Sequence, residues 1–411
     1  MQPKFLLLAF LILPSLAAQA QHHFRVLHAF GSGNDGAGVW DSVTLDAHGN
    51  VYGTTSGGGP YGGGTAFRLT LGSNGHWIET MLHNFGSGSD GAGPLGGLVL
   101  NAGNLYGTTQ TYGKYDRGIA FRLAPAQGYW KETVLYNFCQ KPDCEDGGDP
   151  WGSLIMDGKG ALYGTGFVAF QLSPGLGHWS EKTLHNFTGN KGDGYLPQAG
   201  PIRDAAGDLY GTTRYGGGSK ECDDGCGTVW ELEPPSSDQD SGGTAWKEVI
   251  LHGFGLTEGD GGFPGLGQLA MDTQGNLYGT TDSGGPSGAG TVFRLTRPTD
   301  GSADGWKETI LHGFSQDQNG FEPSGGVILD GAVNLYGTTI AGGSSDCGCG
   351  VVFKLSPQTD GAWKYTLLHT FVGSDGAQPD ANLTLGPDGK LYGTAASGGP
   401  HGGGVVFQLT P

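Results

Sequence analysis

Short apolar stretches alternate with polar positions along almost the whole chain and never settle into a helical period. Segments such as Thr291-Val292-Phe293-Arg294-Leu295 and Trp306-Lys307-Glu308-Thr309-Ile310-Leu311-His312 are brief, two-periodic and rich in Val, Thr, Phe and Trp, which predicts strands. Turn residues separate them. In Asp272-Thr273-Gln274-Gly275-Asn276 the Asp accepts from nearby backbone N–H groups and the Gly takes positive φ, as a hairpin requires. No amphipathic helix is predicted.

The marker Leu-Tyr-Gly-Thr-Thr, or a close variant, recurs at Tyr52, Tyr106, Tyr163, Tyr210, Tyr278, Tyr336 and Tyr392, which gives seven units. Each unit runs from an inner apolar strand such as Gly97-Leu98-Val99-Leu100 through the Tyr-Gly-Thr strand and a Gly-rich loop to a third and a fourth strand. Phe24-Arg25-Val26-Leu27-His28-Ala29-Phe30 matches a fourth strand, whereas Val405-Val406-Phe407-Gln408-Leu409 is a third. The expected fold is therefore all-β, a seven-bladed β-propeller of four-stranded blades, its ring closed by the N-terminal strand pairing into the last blade. Blades are expected at about 38–86, 96–138, 150–187, 199–254, 265–314, 325–371 and 380–411 plus 22–30. An antiparallel meander puts the loop between strands two and three on the same face as the loop leaving strand four, termed the upper face.

Residues 1–20 read as a signal peptide: Lys4, an apolar run from Phe5 to Leu13, and Ala18-Gln19-Ala20 as cleavage site. Residues 21–411 are then one propeller domain, secreted or periplasmic, with no membrane span in the mature chain and a monomeric state expected. A net charge of −18 argues against nucleic acid as a partner. The six cysteines fall in close pairs, Cys139 with Cys144, Cys222 with Cys226, and Cys347 with Cys349, read as local disulfides, with zinc as the rival.

The order Leu251-His252-Gly253-Phe254, Asp260-Gly261, Asp272 to Thr281 and Gly290 to Leu295 resembles the GloVer tandem repeat, a bacterial family of Gloeobacter and Verrucomicrobia. The resemblance covers essentially the whole mature chain. It implies an exported repeat protein of a family whose members are often surface-anchored, and it implies no activity. A C-terminal sorting segment of the anchored kind is not recognisable.

Candidate chemistry is thin. His28, His83, His185, His252, His312 and His369 share one repeat position, where Tyr136 also stands, and read as structural, each hydrogen-bonded to a Thr or backbone group inside its blade. Asp35, Asp90, Asp146, Asp193, Asp260 and Asp375, each before a Gly, read as turn residues, with calcium as the alternative; otherwise no cofactor is expected. Trp77, Trp130, Trp179, Trp246, Trp306 and Trp363 open fourth strands as packing between blades, and Glu79, Glu132, Glu181, Glu248 and Glu308 follow as solvated edge charges.

Departures from the repeat are the better place for function. In the third unit Gly166-Phe167 forms a two-residue hairpin of the glycine-first type where others carry a long loop, which leaves a notch. Around it stand Tyr112, Tyr115, Arg117, Trp151, Arg214 and Tyr215, aromatic and charged groups suited to a glycan or a cell-surface protein. No catalytic constellation is seen. The expected function is a non-catalytic binding or scaffold module, and the alternative is a metal-dependent propeller hydrolase or lyase with ligands at inner-strand ends.

Overall fold

The structure, a computed structural model, describes residues 22–190, 192–235, 245–299 and 305–411. The expected signal segment lies outside the described residues. Seven antiparallel sheets of four strands or more succeed one another along the chain. In blade 1 the strands are Thr44–Leu45, Val51–Thr55, Thr65–Leu71 and Trp77–Asn84. Blade 7 takes Thr384–Leu385, Leu391–Ala395 and Val405–Thr410, and its fourth strand is His23–Ala29 from the other end of the chain. That strand pairs from His23 opposite Thr410 to Ala29 opposite Val405, so the ring closes as the repeat offset predicts.

The repeated residues each have a local task. A Cβ added at Gly53 would lie 2.6 Å from the Phe67 ring, so the Tyr-Gly-Thr strand keeps glycine where the third strand's aromatic crosses it. In every blade but the second, whose turn has no Asp, the marker tyrosine donates to the Asp of its own lower turn, as Tyr278 does to Asp272 at 2.9 Å and Tyr336 to Asp330 at 3.0 Å. Its ring packs on the next blade's tryptophan, Tyr52 on Trp130 at 6.4 Å and Tyr278 on Trp363 at 6.5 Å, which bears out the packing role of these indoles.

Apolar cores form between blades. Phe30 and Tyr392 of blade 7 share one with Val39, Phe67 and Leu69 of blade 1, and six further clusters repeat the arrangement around the ring. Threonine hydroxyls lock neighbours together by donating to the next blade's inner-strand carbonyl: Thr165 to Ala199 at 2.8 Å, Thr280 to Gly325 at 3.0 Å, Thr394 to Asp41 at 3.1 Å.

The recurring histidines differ from expectation. In four of them the partner is the Asp of the following Asp-Gly turn, His83 Nε2 to Asp90 at 3.2 Å, His185 to Asp193 at 3.3 Å, His252 to Asp260 at 3.3 Å and His369 to Asp375 at 3.0 Å, and Tyr136 makes the same bond to Asp146 at 2.7 Å. A bulge explains this. The register shifts at each third–fourth strand pair, leaving the Leu before the His out of the ladder and turning the imidazole toward the upper loop.

The glutamates are not solvated edge charges either. Glu79, Glu248 and Glu308 keep only 18%, 15% and 14% of their side-chain surface exposed, because each is pressed against the His–Asp pair of the preceding blade. Burial and then the neighbouring Asp push Glu132 up to about 7.

All three disulfides are present, Cys139–Cys144, Cys222–Cys226 and Cys347–Cys349, and all lie in upper-face loops. Among the described residues no helix is long and apolar enough to cross a membrane.

Candidate functional site

The inner strands meet around a central channel, and two repeat positions at the upper ends of these strands differ from blade to blade. The first lies four residues before each innermost pairing residue: Trp40, Leu95, Trp151, Gln198, Leu266, Ser324 and Asp380 in turn. The next residue is small in six blades, because the strands nearly touch there. A Cβ at Gly152 would stand 2.1 Å from Gly200 N and one at Gly267 would stand 1.8 Å from Gly326 N.

Blade 1 breaks that rule with Asp41. Its Oδ2 accepts from Gly97 N at 2.6 Å and from the Ser153 hydroxyl at 2.6 Å, so one carboxylate ties blades 1, 2 and 3. Burial raises its pKa against these bonds.

A second divergent position follows the Thr-Thr of the marker strand and holds Ser56, Gln110, Gly166, Arg214, Asp282, Ile340 and Ala396, of which Gln110 lines the mouth. Arg214 Nη1 meets Asp282 Oδ2 at 2.6 Å across the blade 4–5 boundary, and its guanidinium carbon sits 5.9 Å from the Phe263 ring centroid. Asp282 Oδ1 is buried with no protein partner, and so is Asp380 Oδ1. Burial pushes the Asp380 carboxyl up to about 7; a hydrogen bond from Ser324 and the charge of Arg214 oppose the shift, while the charges of Asp282 and Asp41 add to it. Three aspartates and one arginine from four blades thus share one electrostatic neighbourhood.

The mouth encloses a cavity of about 360 Å³, walled by Trp40, Leu95, Trp151 and Leu266 on its apolar side and by Gln110, Gln198, Asp380 and Asn382 on its polar side. Trp40 leaves 42% of its surface exposed. Two indole faces with converging amides and carboxyls can stack on an apolar face of a ligand while exchanging hydrogen bonds at its edge.

Of the residues singled out from the sequence, Trp151 lines this cavity, and Arg214 holds Asp282 beside it. The others lie further out. Arg117 pairs with Asp149 at 3.0 Å and covers the Phe167 ring, Tyr215 packs edge-on to Phe263, and Tyr112 and Tyr115 are exposed with Lys114 over the Tyr115 ring. The blade 3 turn is not the two-residue glycine-first hairpin expected: Thr165 pairs with Ala169, which leaves Gly166, Phe167 and Val168 between them. Gly166 lacks positive φ, donates to Val168 O at 3.0 Å, and is glycine because a Cβ would meet Gly148 O at 2.5 Å.

Trp40, Asp41, Gln110, Gln198, Asp282 and Asp380 escaped the sequence reading. The signal was present as divergence at three repeat positions, Asp41 standing at the one that is otherwise glycine or alanine. Among the described residues, the groups of three His, Cys, Asp or Glu close enough to share a cation lie at the rim and none in the channel.

A family model, the Gloeobacter/Verrucomicrobia repeat, matches residues 17–220 and 223–411. No curated protein matches. Solved structures with a similar fold include an ancestral GH74 enzyme, 12% identical over 92% of this chain and 48% of its own, with a TM-score of 0.56. An oxidoreductase (glucose dehydrogenase) from Thermus thermophilus aligns at 17% identity, 94% and 99% coverage and a TM-score of 0.45. A protein of unknown function from Dyadobacter fermentans aligns at 12% identity, 95% and 98% coverage and a TM-score of 0.44. At these identities the likeness is one of fold.

Proposed function

The chain belongs to the Gloeobacter/Verrucomicrobia repeat family, and from that premise we propose that it is an exported, non-catalytic binding protein that takes a carbohydrate into the upper mouth of its channel. One observation carries the reading: the residue four before each inner pairing differs from blade to blade, and with Gln110 these residues place Trp40 and Trp151 round a cavity with Gln198 and Asp380. Variation that converges on a concavity suits a ligand site, since the scaffold must repeat and the contacts must not.

A glycan long enough to leave the cavity would pass over the short blade 3 turn. There Arg117, Tyr112, Tyr115 and Tyr215 supply outer contacts, with Trp151 and Arg214 deeper. Three disulfides and the lack of a membrane-crossing helix among the described residues fit an extracellular or periplasmic setting. The test is a glycan array probed with the mature protein and with Trp40→Ala and Trp151→Ala. Binding that both variants lose at unchanged thermal stability supports the reading, and silence of the folded protein across the array removes the carbohydrate.

A further inference from the structure

The His–Asp pairs acquire a third member at the blade boundaries. His28, Asp35 and Glu79 meet between blades 7 and 1, His185, Asp193 and Glu248 between blades 3 and 4, and His252, Asp260 and Glu308 between blades 4 and 5. In each set the three donor atoms lie within 4.8 Å of one another. Tetrahedral zinc with bonds of about 2.1 Å holds its ligand atoms about 3.4 Å apart. The measured edges are close to that: His185 Nε2 is 3.3 Å from Asp193 and 3.4 Å from Glu248, His252 Nε2 is 3.3 Å from Asp260 and 3.9 Å from Glu308, and His28 Nε2 is 3.5 Å from Asp35 and 3.8 Å from Glu79.

Two observations independent of the spacing point to a cation. The Asp260 side chain is wholly buried, and Glu79 Oε1 is buried with no hydrogen-bond partner; Glu248 and Glu308 face the carboxyl groups of Asp193 and Asp260 within hydrogen-bonding reach, carboxyl against carboxyl. Such oxygens are costly without a positive charge or a donor.

Between blades 1 and 2 all three members are kept, as His83, Asp90 and Glu132, but their donor atoms do not all come within 4.8 Å of one another. The remaining three boundaries show what happens when a member is lost. Between blades 2 and 3, Tyr136 replaces the histidine, and the Lys141 ammonium stands 2.6 Å from Glu181. Between blades 5 and 6 both acids are gone, Asn319 and Tyr365 replacing them, and His312 stacks on Tyr365 at 4.6 Å. Between blades 6 and 7, Phe24 stands at the Glu position and stacks on His369 at 3.6 Å. Where the imidazole is missing a built-in cation appears, and where an acid is missing an aromatic ring closes the space.

We infer that these three rim clusters are binding sites for a divalent transition-metal cation of the zinc class, each formed by His Nε2 of one blade, the Asp of its turn and the Glu of the next blade. One imidazole and two carboxylates make a mixed nitrogen and oxygen set that suits Zn2+; Ca2+ takes six to eight oxygens, which these clusters do not offer. A metal there would clip adjacent blades at the outer edge.

Mature protein stripped with chelator and dialysed is titrated with ZnCl2 and, separately, CaCl2 by calorimetry, with bound metal counted by elemental analysis. The expected result is up to three zinc ions per chain and a rise in melting temperature. Glu248→Gln and Glu308→Gln should each remove one ion, and Glu79→Gln/Glu248→Gln/Glu308→Gln all of them. Zinc uptake unaltered by the triple variant, as surface histidines would give, overturns the proposal. A second measurement needs no variant: Co2+ added to the stripped native chain should give the intense visible absorption of a four-coordinate site, and a weak six-coordinate spectrum would also overturn it.

Discussion

The Ser153 hydroxyl donates to Asp41 Oδ2 at 2.6 Å, joining residues 112 apart in sequence and two blades apart in the ring. The same oxygen receives Gly97 N at 2.6 Å, so this carboxylate works as a keystone for the inner edge of three blades. Asp41→Ala should strand both donors and lower stability by about 2–4 kcal/mol. Asp41→Asn, which keeps an acceptor, should cost less. Thermal unfolding of both, with Ser153→Ala to complete a double-mutant cycle, checks the pair; additive losses would show that the bond carries no coupling.

Arg214 and Asp282 make a second inter-blade tie. Removing the cation in Arg214→Ala leaves a largely buried carboxylate unpaired beside Asp380 and should destabilise by about 3 kcal/mol. Arg214→Ala/Asp282→Ala should recover most of that loss. Arg214→Lys should restore only part, since it gives up the planar contact with Phe263. Denaturant midpoints of the three variants are the measurement.

Buried acids in the mouth and at the blade boundaries give a pH dependence with a definite sign. Asp380 is raised from 3.8 to about 7, first by burial, and Glu132 from 4.5 to about 7, again by burial and then by Asp90. A carboxyl with a raised folded pKa contributes stability that is complete below its unfolded pKa and is lost as pH rises through the folded value. Melting temperature in chelator should therefore fall by a few degrees between pH 5 and pH 8.5. Asp380→Asn should flatten the profile. A melting temperature that rises across this range would contradict the burial of these groups.

Gly267 and Gly331 form a matched pair. A Cβ at Gly267 would lie 1.8 Å from Gly326 N, whereas Gly331 has nothing within 4 Å. Gly267→Ala should force the inner strands of blades 5 and 6 apart, with a loss above about 3 kcal/mol or no folded product. Gly331→Ala should be neutral within about 0.5 kcal/mol. Soluble yield and circular dichroism separate the two.

The ring was legible because one pattern recurs seven times and its phase differs at the two chain ends, so no long-range contact had to be guessed. The partner of His252 was not legible. Asp260 stands eight residues on, in a turn that sequence reads as a turn and nothing more, and a one-residue bulge decides which way the imidazole points. The channel was hidden for another reason. Arg214 opens a long variable loop and stands out there, yet its partner Asp282 occupies the same repeat position one blade on and is visible only when the units are laid over one another. Asp41 is conspicuous by that comparison too, as the one acid in a column of glycine and alanine. Periodicity reports what the blades share, and the site is written in what they do not.

The fourth strand of blade 7 comes from residues 23–29, while the bond that locks blade 7 to blade 1 joins Thr394 to Asp41 across 353 residues. A chain made from its N-terminus therefore carries an unpaired edge until nearly every other blade exists. At about 5–20 residues per second that wait lasts on the order of 20–75 s, far longer than a hairpin takes to form. Until residues 405–410 arrive, the free strand is open to pairing with a second nascent chain. The hazard to this molecule lies in that interval, and holdase protection of the segment around Val26 is what would govern the yield of native rings.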